Sequence, residues 1–155
     1  MGEIVMKKTN ILCLIIIAII CFSLFSCVSP GLSDWEYELP NDYYIVRANS
    51  NSIGIGIKNE KGNAYSKVID NYVVCFAYND KYVCARRFEL ASDARQEEIL
   101  KMDIEKAKYC IINTETKDVY DSLTIEEYEA LCNELGITDL CGWINTYPAP
   151  DGAQF

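Results

Sequence analysis

The 155-residue chain contains no histidine. That absence removes Ser-His and Cys-His nucleophile pairs, histidine metal ligands and the side chain most often used as a base near neutral pH. The eight cysteines include no Cys-x-x-Cys pair, so neither a structural zinc site nor a thioredoxin-type redox motif is expected, and the chain is read as carrying no metal or other cofactor. Basic residues are scarce as well: 14 Lys and Arg against 23 Asp and Glu give a formal net charge of -9. A surface of that sign repels phosphate backbones and anionic head groups alike, which argues against nucleic acid as a partner and against adhesion to a membrane by charge.

One long hydrophobic run is present, near the start. Lys7 and Lys8 form a positive region, residues 11–22 an apolar one, and Ser23 to Cys27 a short exit, the three-part layout of a secretory signal. The segment Leu24-Phe25-Ser26-Cys27 resembles a lipobox, in which the Cys thiol is acylated and a peptidase cuts before it. Cys27 is therefore the expected lipidation site, and residues 1–26 the expected signal peptide. Residues 11–25 are shorter than the roughly 20 that span a bilayer as a helix, which disfavours an uncleaved anchor. Cys13 and Cys21 lie inside the run without such a context and read as hydrophobic filler. A myristoylation reading of Gly2 fails because position six is Met rather than Ser or Thr.

Cleavage would leave roughly 129 residues, enough for one compact domain, and loss of Lys7, Lys8 and Glu3 would bring its charge to about -10. Residues 27–34, with Ser, Pro and Gly, read as a lipidated tether, 35–146 as the domain and 147–155 as a loose tail.

Within the domain, residues 43–48 and 53–57 are rich in aromatic and β-branched side chains and flank an Asn-Ser-Asn-Ser turn, predicting two antiparallel strands. Gly54 and Gly56 share one face of the second, where missing side chains leave room for a neighbouring ring or a bulge. Residues 72–78 and 81–87 predict a hairpin closed at Asn79-Asp80. In that register Cys75 faces Cys84 at a site where a disulfide can be accommodated. The competing reading is a pair of buried thiols, favoured by the odd count of mature cysteines besides Cys27.

Residues 92–108 predict a helix along Leu100, Ile104 and Ala107. A further hairpin is expected from 109–113 and 119–120. The most explicit local signal is Thr124 to Gly136: Thr124 as N-cap, Glu127 as its capping-box partner and Gly136 just past the end. Its face of Ile125, Tyr128, Leu131, Cys132 and Leu135 should lie on the sheet, with Glu126, Glu129 and Glu134 in water.

Arg86-Arg87 is the single adjacent arginine pair and is a candidate site for an anionic ligand, one guanidinium per sheet face; the ordinary alternative is pairing with local acids. Trp35, Tyr37, Tyr43 and Tyr44 form either a recognition surface or, as first-strand residues, part of the core. The carboxylate pairs Glu36 with Glu38 and Glu126 with Glu129 have ordinary strand and helix spacings and do not by themselves define a hydrolase.

The lipobox, the run Asp34-Trp35-Glu36-Tyr37-Glu38-Leu39-Pro40-Asn41-Asp42-Tyr43, the hairpin starting at Asn71-Tyr72 and residues 111–136 together resemble small uncharacterised lipoproteins of Gram-positive bacteria. The likeness is most specific at Val119-Tyr120-Asp121-Ser122-Leu123-Thr124, a strand running into a Glu-rich helix. The resemblance implies an extracytoplasmic, lipid-anchored domain and no particular activity.

The expected fold is α+β, an antiparallel sheet of about five strands with one or two helices on one face. The expected function is a non-catalytic module that binds an envelope protein or small ligand. A carboxylate-dependent enzyme acting on envelope material and a structural or regulatory partner of a membrane protein are the alternatives.

Overall fold

The computed structural model describes residues 34–62, 64–90, 101–137 and 139–155, all within the compact unit Ser33–Phe155. Their strands are β1 (Trp35–Glu38), β2 (Tyr43–Asn49), β3 (Ser52–Lys58), β4 (Tyr65–Ile69), β5 (Tyr72–Tyr78), β6 (Tyr82–Phe88), β7 (Lys108–Asn113), β8 (Val119–Leu123) and β9 (Ile144–Asn145), with one helix, α1 (Ile125–Leu135), between β8 and β9. All nine strands belong to one sheet, in the order β1-β2-β3-β5-β6-β7-β8, with β4 added to β3 and β9 to β5. Every pairing is antiparallel except the parallel contact of β3 with β5, a single bridge from Ile53 to Tyr72.

This corrects the expectation of about five strands under one or two helices. The unforeseen strands are short or polar: β4 exposes Ser66 and Lys67, and β9 has two residues. Each brings few apolar residues to the core, Val68 and Ile69 from β4 and Ile144 from β9, so hydrophobic alternation does not reveal them. Of the helix expected over 92–108, residues 92–100 lie outside the described residues. The remainder is not helical: Asp103 caps one 3-10 turn, Ile104–Lys106, after which Ala107 is extended and β7 begins. Among the described residues no helix is long and apolar enough to cross a membrane.

The sheet curls over on itself. Its inner face gathers Trp35, Ile45, Ile55, Phe76, Val83 and Ile112 into one core, and Tyr37 of β1 reaches Phe76 of β5 with ring centroids 5.1 Å apart. At the far end of that closure the Asn41 amide donates to Thr114 Oγ1 at 2.7 Å. The outer face of β6 and β7 carries a second core of Tyr82, Cys84, Tyr109 and Ile111, covered by Tyr128 of α1 and by Ile137. Because β6 is covered on both sides, six of its seven residues are buried, the pattern of a central strand.

α1 begins as its sequence dictates. Thr124 Oγ1 accepts from the Glu127 N–H at 3.3 Å, and the Glu127 carboxylate accepts from the Thr124 N–H at 2.8 Å. Gly136 ends it in the left-handed region, φ 66°. Tyr128 is buried, whereas Ile125 is 40% exposed, so the buried stripe starts one turn later than its spacing predicts.

The end of the chain is tied to its beginning. Glu36 and Gln154 exchange backbone hydrogen bonds of 2.9 and 2.8 Å, and Ala149 and Ala153 pack against the inner core, where composition alone predicts a loose tail.

Candidate functional site

The β5–β6 hairpin positions the candidate residues, and its turn decides their register. The Asn79 side chain accepts from the N–H groups of Lys81 (3.0 Å) and Tyr82 (2.7 Å), an Asx-type turn that absorbs two further residues into the loop. Tyr78 consequently pairs with Val83, Ala77 with Cys84 and Cys75 with Arg86. Cys75 and Cys84 do not face each other. Both are buried and unbonded, as is Cys110, while Cys132 is half-buried and Cys141 exposed. Burial pushes the Cys84 thiol up to about 12, with Tyr128 and Cys132 beside it. Burial raises Cys75 too, and the Arg86 guanidinium draws it part of the way back.

A bulge follows in β5, between Val73 and Cys75. A bulge leaves carbonyls without ladder partners. Here Thr146, fully buried, donates its hydroxyl to Val73 O at 2.8 Å and Val74 O at 3.1 Å and its N–H to Val74 O at 3.0 Å. That clamp brings the segment after β9 alongside β5. Between them lies a cavity of about 290 Å³ lined by Tyr72, Val74, Arg86, Phe88, Met102, Ile104, Asn145, Thr146 and Tyr147.

The two adjacent arginines therefore have different surroundings. Arg87 is 4% exposed in its side chain and is held by Asp121: Nε and an Nη each lie 2.9 Å from one carboxylate oxygen. The same Nη donates to Ser122 Oγ at 2.9 Å. Burial works against its charge, but the hydrogen bond and charge of Asp121 win, and its pKa rises. This is the local pairing that competed with ligand binding. Arg86 instead lines the cavity, and its buried Nε has no hydrogen-bond partner among the described residues. Tyr72 belongs to the same lining; its hydroxyl is likewise buried without a partner among the described residues, and burial raises its pKa.

The other candidates serve the scaffold. Trp35 and Tyr43 are buried in the inner core. Tyr44 stacks edge-on with Tyr65 at 5.6 Å, beneath the Lys58 ammonium, 4.7 Å from the Tyr44 ring centroid. The Glu36 carboxylate accepts from Lys58 at 2.8 Å and from the Tyr65 hydroxyl, while Glu38, Glu126 and Glu129 are exposed. Among the described residues no three His, Cys, Asp or Glu side chains are placed to hold a metal ion. Cys27 lies outside the described residues.

Fold and site thus define a β-rich domain with a small cavity lined by an arginine whose Nε has no hydrogen-bond partner among the described residues. Residues 40–141 match the family described as protein of unknown function (DUF3997), and the chain belongs to that family. No curated protein and no solved structure matches it.

Sequence reasoning singled out Arg86 by its neighbour Arg87. It could not find Tyr72, Asn145, Thr146 or Tyr147 as site residues, because they meet Arg86 only through the β5 bulge and the β9 pairing.

Proposed function

We propose that this protein is an envelope lipoprotein, anchored through an acylated Cys27 on the extracytoplasmic face of a cell membrane, whose domain is a non-catalytic binding module for a small ligand. The observation that carries the binding role is the cavity in which Arg86 has no acidic partner among the described residues. Supporting the anchor are Lys7 and Lys8, the apolar run 11–22 and the Leu24-Phe25-Ser26-Cys27 segment in sequence. Residues 1–26 serve as the signal peptide, 27–34 as the tether and the following unit as the domain. With a formal charge of -9, attachment rests on the lipid rather than on the protein surface.

Intact-mass analysis of the membrane fraction, comparing wild type with Cys27→Ala, tests the anchor. The expected mass is that of a chain cleaved before Cys27 and carrying acyl groups, absent from the variant. An unprocessed wild-type chain would overturn it.

A further inference from the structure

Resting on the binding-module reading, we propose that the cavity beside Arg86 is a site for a small organic carboxylate, one carboxylate group on an apolar or aromatic body.

Three observations converge on that chemistry. Arg86 Nε and the Tyr72 hydroxyl are both buried and unpartnered among the described residues, and the two residues line one cavity. Folding tolerates a buried polar group without a partner at a cost, and two in one cavity require an explanation. A carboxylate supplies acceptors to a guanidinium and to a phenolic O–H at once.

The second observation is charge. A chain of net charge -9 places neither Asp nor Glu among the described residues of this lining, while a guanidinium stands in it. Asp121 is committed to the adjacent arginine, Arg87. An anion is favoured there and a cation is not.

The third is shape. Besides Asn145 and Thr146, the rest of the wall is Val74, Phe88, Met102, Ile104 and Tyr147, a mostly apolar surface that an inorganic anion would leave in contact with water. At about 290 Å³ the space lies at the lower end of ligand pockets, which suits a body of one ring or a short chain and excludes a nucleotide. A free organic acid and the C-terminal carboxylate of a short peptide share this chemistry.

The test is calorimetric titration of the full chain, solubilised in detergent, with benzoate, hexanoate, N-acetylphenylalanine, benzamide and inorganic phosphate. At least one carboxylate is expected to bind, with benzamide and phosphate at least tenfold weaker. Arg86→Met should weaken that binding at least tenfold and Tyr72→Phe about threefold, with far-ultraviolet circular dichroism unchanged in both. Preference for benzoate or hexanoate identifies a free acid, and preference for N-acetylphenylalanine a peptide end. Binding by none of the carboxylates, equal binding of phosphate, or undiminished binding in a folded Arg86→Met or Tyr72→Phe protein would overturn the site. Those results leave the Cys27 mass comparison untouched, whereas chemical turnover of a probe would overturn the binding-module reading itself.

Discussion

Arg87 in β6 and Asp121 in β8 meet across the intervening strand β7, with both carboxylate oxygens 2.9 Å from guanidinium nitrogens. Ser122, held at φ 61°, donates its N–H to the same carboxylate at 2.7 Å and accepts from Arg87 through its hydroxyl. The pair ties the helix-bearing edge of the sheet to its centre. Removing the Asp121 carboxylate leaves the buried Arg87 guanidinium, among the described residues, only the exposed Glu89 as an ion-pair partner, 3.6 Å away. Because the Asp121 side chain is itself 38% exposed, the cost is about 1 to 2 kcal/mol, below that of a fully buried pair. An apolar residue of similar volume replaces a buried charge more cheaply. Asp121→Ala should therefore lower stability by about 1 to 2 kcal/mol, and the double variant Arg87→Met/Asp121→Ala by less than Asp121→Ala alone. Urea unfolding midpoints of the variants decide this; additive losses would show that the pair is not coupled.

Thr124 closes the N-terminus of α1 reciprocally with Glu127. Thr124→Ala should cost about 1 kcal/mol, and Thr124→Ser almost nothing, since the hydroxyl rather than the methyl accepts the bond. Thermal melts of the two variants give the comparison directly.

Gly54 and Gly62 separate two reasons for lacking a side chain. A Cβ at Gly54 would lie 2.7 Å from Ile69 O, a backbone atom of β4, while nothing stands within 4 Å of one at Gly62, where φ is +68°. Gly62→Ala should cost about 1 kcal/mol from conformation alone. Gly54→Ala must push two strands apart and should cost about 3 kcal/mol. Denaturant midpoints that ranked Gly62→Ala as the worse variant would contradict this packing of β3 on β4.

Alkali should destabilise the domain through groups that folding keeps protonated. The hydrogen bond to Tyr78, followed by burial, raises Tyr37 from 10.0 to about 12, and burial raises Cys84 from 9.0 to about 12. In each case the folded state favours the neutral form, so the unfolded chain loses its proton first. The resulting stability is complete below pH 9.0 and falls progressively as pH rises through about 12. Melting temperature followed across that window should fall less steeply in Tyr37→Phe/Cys84→Ala than in wild type. Reaction with a thiol reagent under native conditions should be fast at Cys141 and wait for unfolding at Cys75, Cys84 and Cys110, in line with their exposure.

What could be read from residues alone follows from how local each signal is. α1 was legible because Thr124, Glu127 and Gly136 make their contacts within a single helix. The β5–β6 hairpin was legible as a hairpin, but its register was not: counting from Asn79-Asp80 misses that the Asn79 side chain takes two N–H groups and lengthens the loop. The β5 bulge then shifts the pairing again by one residue, beyond the reach of any two-residue periodicity. Trp35 and Tyr43 were legible as core. β4 was not, since Tyr65 to Ile69 is sheltered mainly by its position beside two glycines. Arg86 stood out in the sequence, whereas its sharing of one cavity wall with Tyr72 depends on the β5 bulge and on β9, which no single segment encodes.

The lone parallel bridge between Ile53 and Tyr72 divides the sheet into two ribbons, β1 to β4 and β5 to β9. Within each ribbon most strands pair with neighbours a short loop away, and such contacts form quickly because little chain must be brought together. Distant parts of the chain are brought together at the meeting of the ribbons, where Tyr37 reaches Phe76, and where β9 returns to β5. The cavity beside Arg86 depends on the second of these closures, because Asn145, Thr146 and Tyr147 reach its wall through β9.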